Sequence, residues 1–197
     1  MRPFEAYPGM RRIIAVTIAV VVGAAARYQD PDVISSLHEC IQLRFLDRTA
    51  FGMRRILPFG YHGIRIFQPE NQTEQTVVSK LTDSGHQVVL YLAGRSVMDS
   101  VGTGVNPRRY RVQGPAFITP GPIAQYPGSD DLLDDSRRAL TSFQTGGANF
   151  SIRKGEWTIA MRALRATNET CVQCHSSNGG ARLNIGDPLG VALYVYR

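Results

Sequence analysis

The sequence predicts an α+β fold, a small antiparallel sheet with helices packed on it. Three observations lead there. Apolar residues recur at helical spacing after Asp30 and again after Ser129. Val88-Val89-Leu90-Tyr91-Leu92 is a nearly continuous apolar run, as expected of a central strand covered on both faces. The remaining strand-like segments lie beside tight turns such as Lys154-Gly155, which join antiparallel neighbours rather than parallel crossovers.

Taken in order, the chain opens with a segment that resembles an export signal. Arg2, Arg11 and Arg12 precede the apolar run Ile13–Val22, and Gly23-Ala24-Ala25-Ala26 supplies a small-residue cleavage site. The run falls short of the about 20 apolar residues that span a bilayer, so residues 1–26 read as a cleaved signal, with an uncleaved anchor as the alternative. Residues 27–197 then form one domain, large enough to bury its own core.

Asp30 and Pro31 are expected to cap and start a helix running to about Ile56, ahead of Pro58, with Val33, Ile34, Leu37 and Ile41 as its apolar stripe. Cys40 and His38 fall on opposite flanks of that stripe. After a turn-rich stretch, Ile64–Phe67 reads as a strand. Asn71 with Glu74 makes a capping-box start for a short helix whose buried side is Val77, Val78 and Leu81, ended by Asp83-Ser84-Gly85. His86–Ala93 is the central strand. Gly94–Gly128 is rich in Gly and Pro and predicts a covering loop with a short strand near Tyr110-Arg111-Val112. Ser129 is expected to cap a helix with Leu132, Leu133, Ser136, Leu140 and Phe143 on its inner face, stopped by Gly146-Gly147. A hairpin of Asn149–Arg153 and Trp157–Leu164 follows, then a short helical turn capped by Thr167 or Asn168, and the closing strand Val191–Tyr196.

Charge excludes little but is still useful. The chain holds 22 Lys and Arg against 16 Asp and Glu, net +6. Its basic residues are scattered pairs (Arg54-Arg55, Arg108-Arg109, Arg137-Arg138), whereas nucleic-acid binding calls for a concentrated stripe, and is set aside.

The chemistry concentrates in Cys171-Val172-Gln173-Cys174-His175. Two thiols three positions apart on a helical turn can each add across a haem vinyl group, and the histidine that follows is held under the iron as its proximal ligand. One covalent haem c is therefore the expected cofactor. Export agrees with it, because haem is attached to this motif outside the cytoplasm in bacteria. The competing readings are a redox dithiol and half of a zinc site. Zinc requires a second ligand pair that the chain's three cysteines do not supply. A thioredoxin-like site requires a long following helix, whereas Ser176-Ser177-Asn178-Gly179-Gly180 ends this one at once. The motif lies near the C-terminus with no methionine beyond it, unlike small helical cytochromes c, so a sixth iron ligand has to come from upstream. Arg162, Arg165 and Arg182 flank the motif and match propionate carboxylates in geometry, with solvated charge as the plainer reading.

From the helix ending at Phe143, through the Arg162-Ala163-Leu164-Arg165-Ala166 run, Cys171-x-x-Cys174-His175, a Gly-rich loop and Ile185-Gly186-Asp187, residues 129–197 resemble a family of exported single-haem c-type domains with a PAS-like α+β core. Members stand free or form the extracytoplasmic part of signalling proteins. This chain departs from the pattern in carrying Ser176 after the motif. The resemblance implies a PAS-like fold with the haem site near the C-terminus, a periplasmic location, and electron transfer or redox sensing with a redox or signalling partner. It also implies that an upstream cysteine can be the distal iron ligand; Cys40 is the one upstream cysteine, set against its reading as a small core residue.

Among the other candidates, His38 reads as solvent-facing, His62 and His86 as surface residues, Met98 and Met161 as core fillers and Trp157 as core. Asp187-Pro188 reads as a turn. No Ser/His/Asp set, phosphate loop or carboxylate pair stands out, so enzymatic activity is not the first expectation. An open distal site would instead favour small-gas sensing or a peroxidase-like activity.

Overall fold

The computed structural model describes residues 31–46, 66–95, 112–119, 126–176 and 182–197. The chain divides into two compact units, Met1–Pro31 and Asp32–Arg197, and apart from Pro31 every described residue belongs to the second. The elements are α1 (Pro31–Arg44), α2 (Gln72–Asp83), β1 (Val88–Gly94), β2 (Gln113–Phe117), a 3-10 turn (Asp130–Leu132) leading into α3 (Leu133–Gln144), β3 (Asn149–Lys154), β4 (Trp157–Arg165), α4 (Glu169–Ser176) and β5 (Pro188–Tyr196). The five strands form one antiparallel sheet in the order β2-β1-β5-β4-β3, so the fold is α+β.

The apolar runs become the middle of that sheet. β5 lies between β1 and β4, paired from Val88↔Tyr196 to Gly94↔Gly190 on one side and from Thr158↔Tyr196 to Arg165↔Pro188 on the other. Side chains alternate between faces along each strand. On one face Val88, Leu90, Leu92, Ala160, Tyr194 and Tyr196 pack under Ile34, Leu37, Cys40 and Ile41 of α1 and Val77 and Leu81 of α2. On the other, Val89, Tyr91, Ile159, Met161, Leu193 and Val195 pack under Leu132, Ala139, Leu140 and Phe143. Both faces are covered, which explains why these strands do not alternate with polar residues. Gly190 is required by the close strand contact: a Cβ there would sit 2.5 Å from the Ala93 carbonyl oxygen.

The ends of α2 follow the sequence. The Asn71 side chain accepts from Glu74 N at 2.9 Å, and the chain leaves the helix through Ser84 and Gly85, the latter at φ +75°. Met161 and Trp157 are core, and Asp187 closes a turn by accepting from Asn184 N at 2.8 Å.

Several expectations are corrected. Helix α1 ends at Arg44, not near Ile56. Its apolar stripe stops at Ile41, and Phe45 and Leu46 already donate to Gln42 O and Leu43 O in tight turns. Ile66 makes only an isolated bridge to Phe117, so no strand forms at Ile66-Phe67. Of the strand expected near Tyr110-Arg111-Val112, Tyr110 and Arg111 lie outside the described residues; Val112 is not in a strand, and β2 runs from Gln113 to Phe117. Ser129 makes no side-chain cap, and the Asp131 carboxylate accepts from Gly128 N instead. Asp30, His62, Met98 and the signal-like residues 1–26 lie outside the described residues. Among the described residues, no helix is long and apolar enough to cross a membrane.

Candidate functional site

Helix α4 carries the motif, and its start is set by one side chain. Asn168 Oδ1 accepts from Cys171 N at 3.0 Å, the N-cap bond that satisfies an otherwise unpaired amide. At about 100° per residue, Cys174 and His175 lie about 60° and 40° to either side of Cys171, so all three donors share one face of the helix. Cys171 is half-buried, and Cys174 and His175 are exposed. The helix is anchored at both ends. Ala166 N donates to Asp187 O and Gly186 N to Ala166 O, while Ser176 Oγ accepts from Leu183 N. Two thiols and an imidazole on one face of a capped helix fit the chemistry of a thioether-linked haem, whose iron takes one or two protein ligands. Among the described residues no group of three or more His, Cys, Asp and Glu side chains gathers as a metal site.

Beside the start of α4 opens a cleft of about 410 Å³ between α1 and the β3–β4 edge of the sheet, lined by His38, Gln42, Asn149, Arg162, Arg165 and Thr167 among others. It arises because β3 is an edge strand with every second residue exposed. Gln42 bridges the two walls, its amide donating to Arg165 O and accepting from Arg165 N.

Arg162 and Arg165 therefore come together in this cleft. Arg162 is half-buried and donates to the Met161 carbonyl, and burial lowers its pKa, with Tyr194 and Tyr196 opposing. Arg165 donates to the carbonyls of Gly186 and Gly147. Arg182 is exposed and does not line the cleft.

Cys40 faces the core from α1 and is not among the cleft-lining residues. Burial pushes its thiol up, the Glu74 and Glu39 carboxylates add to this, and Arg44 opposes it. His38 is not solvent-facing as expected. A helix resting on a sheet buries a wider face than one apolar stripe, and His38 Nδ1 lies 3.0 Å from Tyr194 Oη. Burial, then the Arg162 charge, push its imidazole down to about 4 against a hydrogen bond to the Ala163 backbone. His86 is half-buried, edge-on to Tyr196. The missed residues carried a signal: Ser35, His38, Glu39 and Gln42 form a polar i, i+3, i+4, i+7 stripe beside the apolar one.

Comparison with protein-family models, with curated proteins and with solved structures finds no match for this chain.

Proposed function

We propose that this chain is an exported c-type haem protein, in which Cys171 and Cys174 hold one haem by thioether bonds and His175 is the proximal iron ligand, acting in electron transfer or redox sensing. The observation that carries this reading is the common face of Cys171, Cys174 and His175 on a helix capped by Asn168. The haem would supply one-electron chemistry; the protein's part is to bury it, orient it and set its axial ligands. The strand order β2-β1-β5-β4-β3 with helices on both faces supports a PAS-like core.

Arg165 and Arg182 stand on either side of α4 in the chain and, with Arg162, are the cations available to propionates. Cys40 is assigned the distal position because it is a buried thiol on the helix that forms one wall of the cleft. Its surroundings favour the protonated thiol, so ligation requires loss of that proton. The basic and apolar start of the chain, residues 1–26, supports export to the periplasm.

The test is purification from a host with a working c-type maturation system. Colour that survives acid–acetone extraction supports the reading, and a colourless chain that binds zinc through the same thiols removes it.

A further inference from the structure

We propose that the cleft between α1 and the β3–β4 edge is a binding site for a small free monocarboxylate, with Arg162 as the cation that receives it. This goes beyond haem attachment at α4, and it gives Arg162 a free ligand in place of a haem propionate.

The argument begins with how this protein treats its other buried arginine. Arg44, on the same face of the sheet, is paired with the buried Glu74 carboxylate through two hydrogen bonds. Arg162 is also drawn out of water, yet among the described residues its one side-chain hydrogen bond goes to the Met161 carbonyl and no carboxylate lies within 4 Å of it. A half-buried guanidinium is a strong attractor for a planar, bidentate acceptor. Arg165 adds a second positive charge, also without a carboxylate partner among the described residues, and Glu39 is the one carboxylate in the lining. The lining thus holds two arginines, Arg162 and Arg165, against the single Glu39 carboxylate, an excess of one cation that a monoanion matches. Its about 410 Å³ lies in the range of small-molecule sites, of about 300–1,000 Å³. The Asn149 amide and Thr167 hydroxyl suit a hydroxyl or carbonyl substituent, and Ala148 and Ala163 suit a short carbon chain.

The register supplies a variant that keeps the arginine. Asn149 on β3 is paired directly with Arg162 on β4. Asn149→Asp would place a carboxylate beside Arg162 and occupy it from within. Its position is exposed on an edge strand, where folding tolerates the change.

The experiment is calorimetric titration of the full-length protein with sodium L-lactate, with sodium chloride and lactamide as controls. Saturable lactate binding, with lactamide inert, is expected in the wild type. Arg162→Gln and Asn149→Asp should each weaken it at least about tenfold, while Lys80→Gln, exposed on α2 and outside the cleft, leaves it unchanged. No saturable binding in the wild type, or binding that both Arg162→Gln and Asn149→Asp retain, overturns the proposal.

A haem propionate presents the same chemical group, so the titration is repeated on the haem-free Cys171→Ala/Cys174→Ala chain. Binding by both forms supports a free ligand. Binding only without haem shows that the cleft's carboxylate comes from the cofactor, and overturns the free-ligand assignment. If the chain takes no haem at all, wild type and variant simply bind alike.

Discussion

The Nδ1 atom of His38 lies 3.0 Å from the Tyr194 hydroxyl, joining α1 to the central strand β5. Tyr194 is fully buried and burial pushes its hydroxyl well above the usual phenol range, so the phenol keeps its proton beside a neutral ring. Burial, Arg162 and Arg165 hold that ring neutral, and its pKa falls from 6.5 to about 4.

The first prediction follows from that depressed value. As pH falls, the unfolded chain takes up the His38 proton before the folded one does. The contribution of the neutral ring is therefore complete above about pH 6.5 and is lost progressively down to about pH 4. The shift corresponds to on the order of 3 kcal/mol. Urea denaturation across this window should show a steeper loss for the wild type than for His38→Phe. Parallel curves would remove His38 as the cause.

A second prediction concerns the pair Arg44 and Glu74, both nearly excluded from solvent. Arg44 also donates to Gln68 O at 2.7 Å and stacks on Phe67, 4.2 Å from the ring centre. Glu74→Ala leaves a buried cation without its carboxylate and should cost about 3–5 kcal/mol, while Arg44→Met/Glu74→Leu should cost less. Chemical denaturation of the three chains measures both.

Much of the fold was legible in the sequence, and what was not has identifiable causes. Strand β1 is apolar enough to announce burial on both faces, β4 and β5 read as strands, and Asn71 and Gly85 mark the ends of α2. The end of α1 was not legible because no glycine or proline follows Ile41 directly. The helix stops where Arg44 turns inward to Glu74, a partner 30 residues away. The site divides in the same way. The motif on α4 is local and was readable. The cleft beside it joins α1 to β4, with Gln42 and Arg165 in contact across 123 residues, and one-dimensional spacing does not reveal such a contact.

A third prediction addresses Asn168. Asn168→Ala removes the acceptor for Cys171 N and should destabilise the start of α4 by about 1 kcal/mol. Because the same helix presents the thiols, haem attachment should fall, while Asn168→Asp, which keeps a cap, should restore it. Equal yields of attached haem in all three chains would show that the cap has no part in attachment.

A fourth prediction concerns Cys40. If its sulfur is the distal ligand, Cys40→Ser keeps the haem attached, changes the visible spectrum and raises the reduction potential, because an electron-donating thiolate is lost. The wild type should then also resist carbon monoxide in the reduced state. If Cys40 is only a core residue, the substitution costs about 1 kcal/mol and leaves the spectrum alone. Rapid carbon monoxide binding by the wild type would point to an open distal site and a sensing role.

The most direct measurement of the central claim is the intact mass of the denatured protein after expression with a c-type maturation system. The account predicts a mass increase of one haem, located by peptide mapping to the segment holding Cys171 and Cys174, and lost in Cys171→Ala/Cys174→Ala. A polypeptide mass with no added haem under those conditions would contradict it.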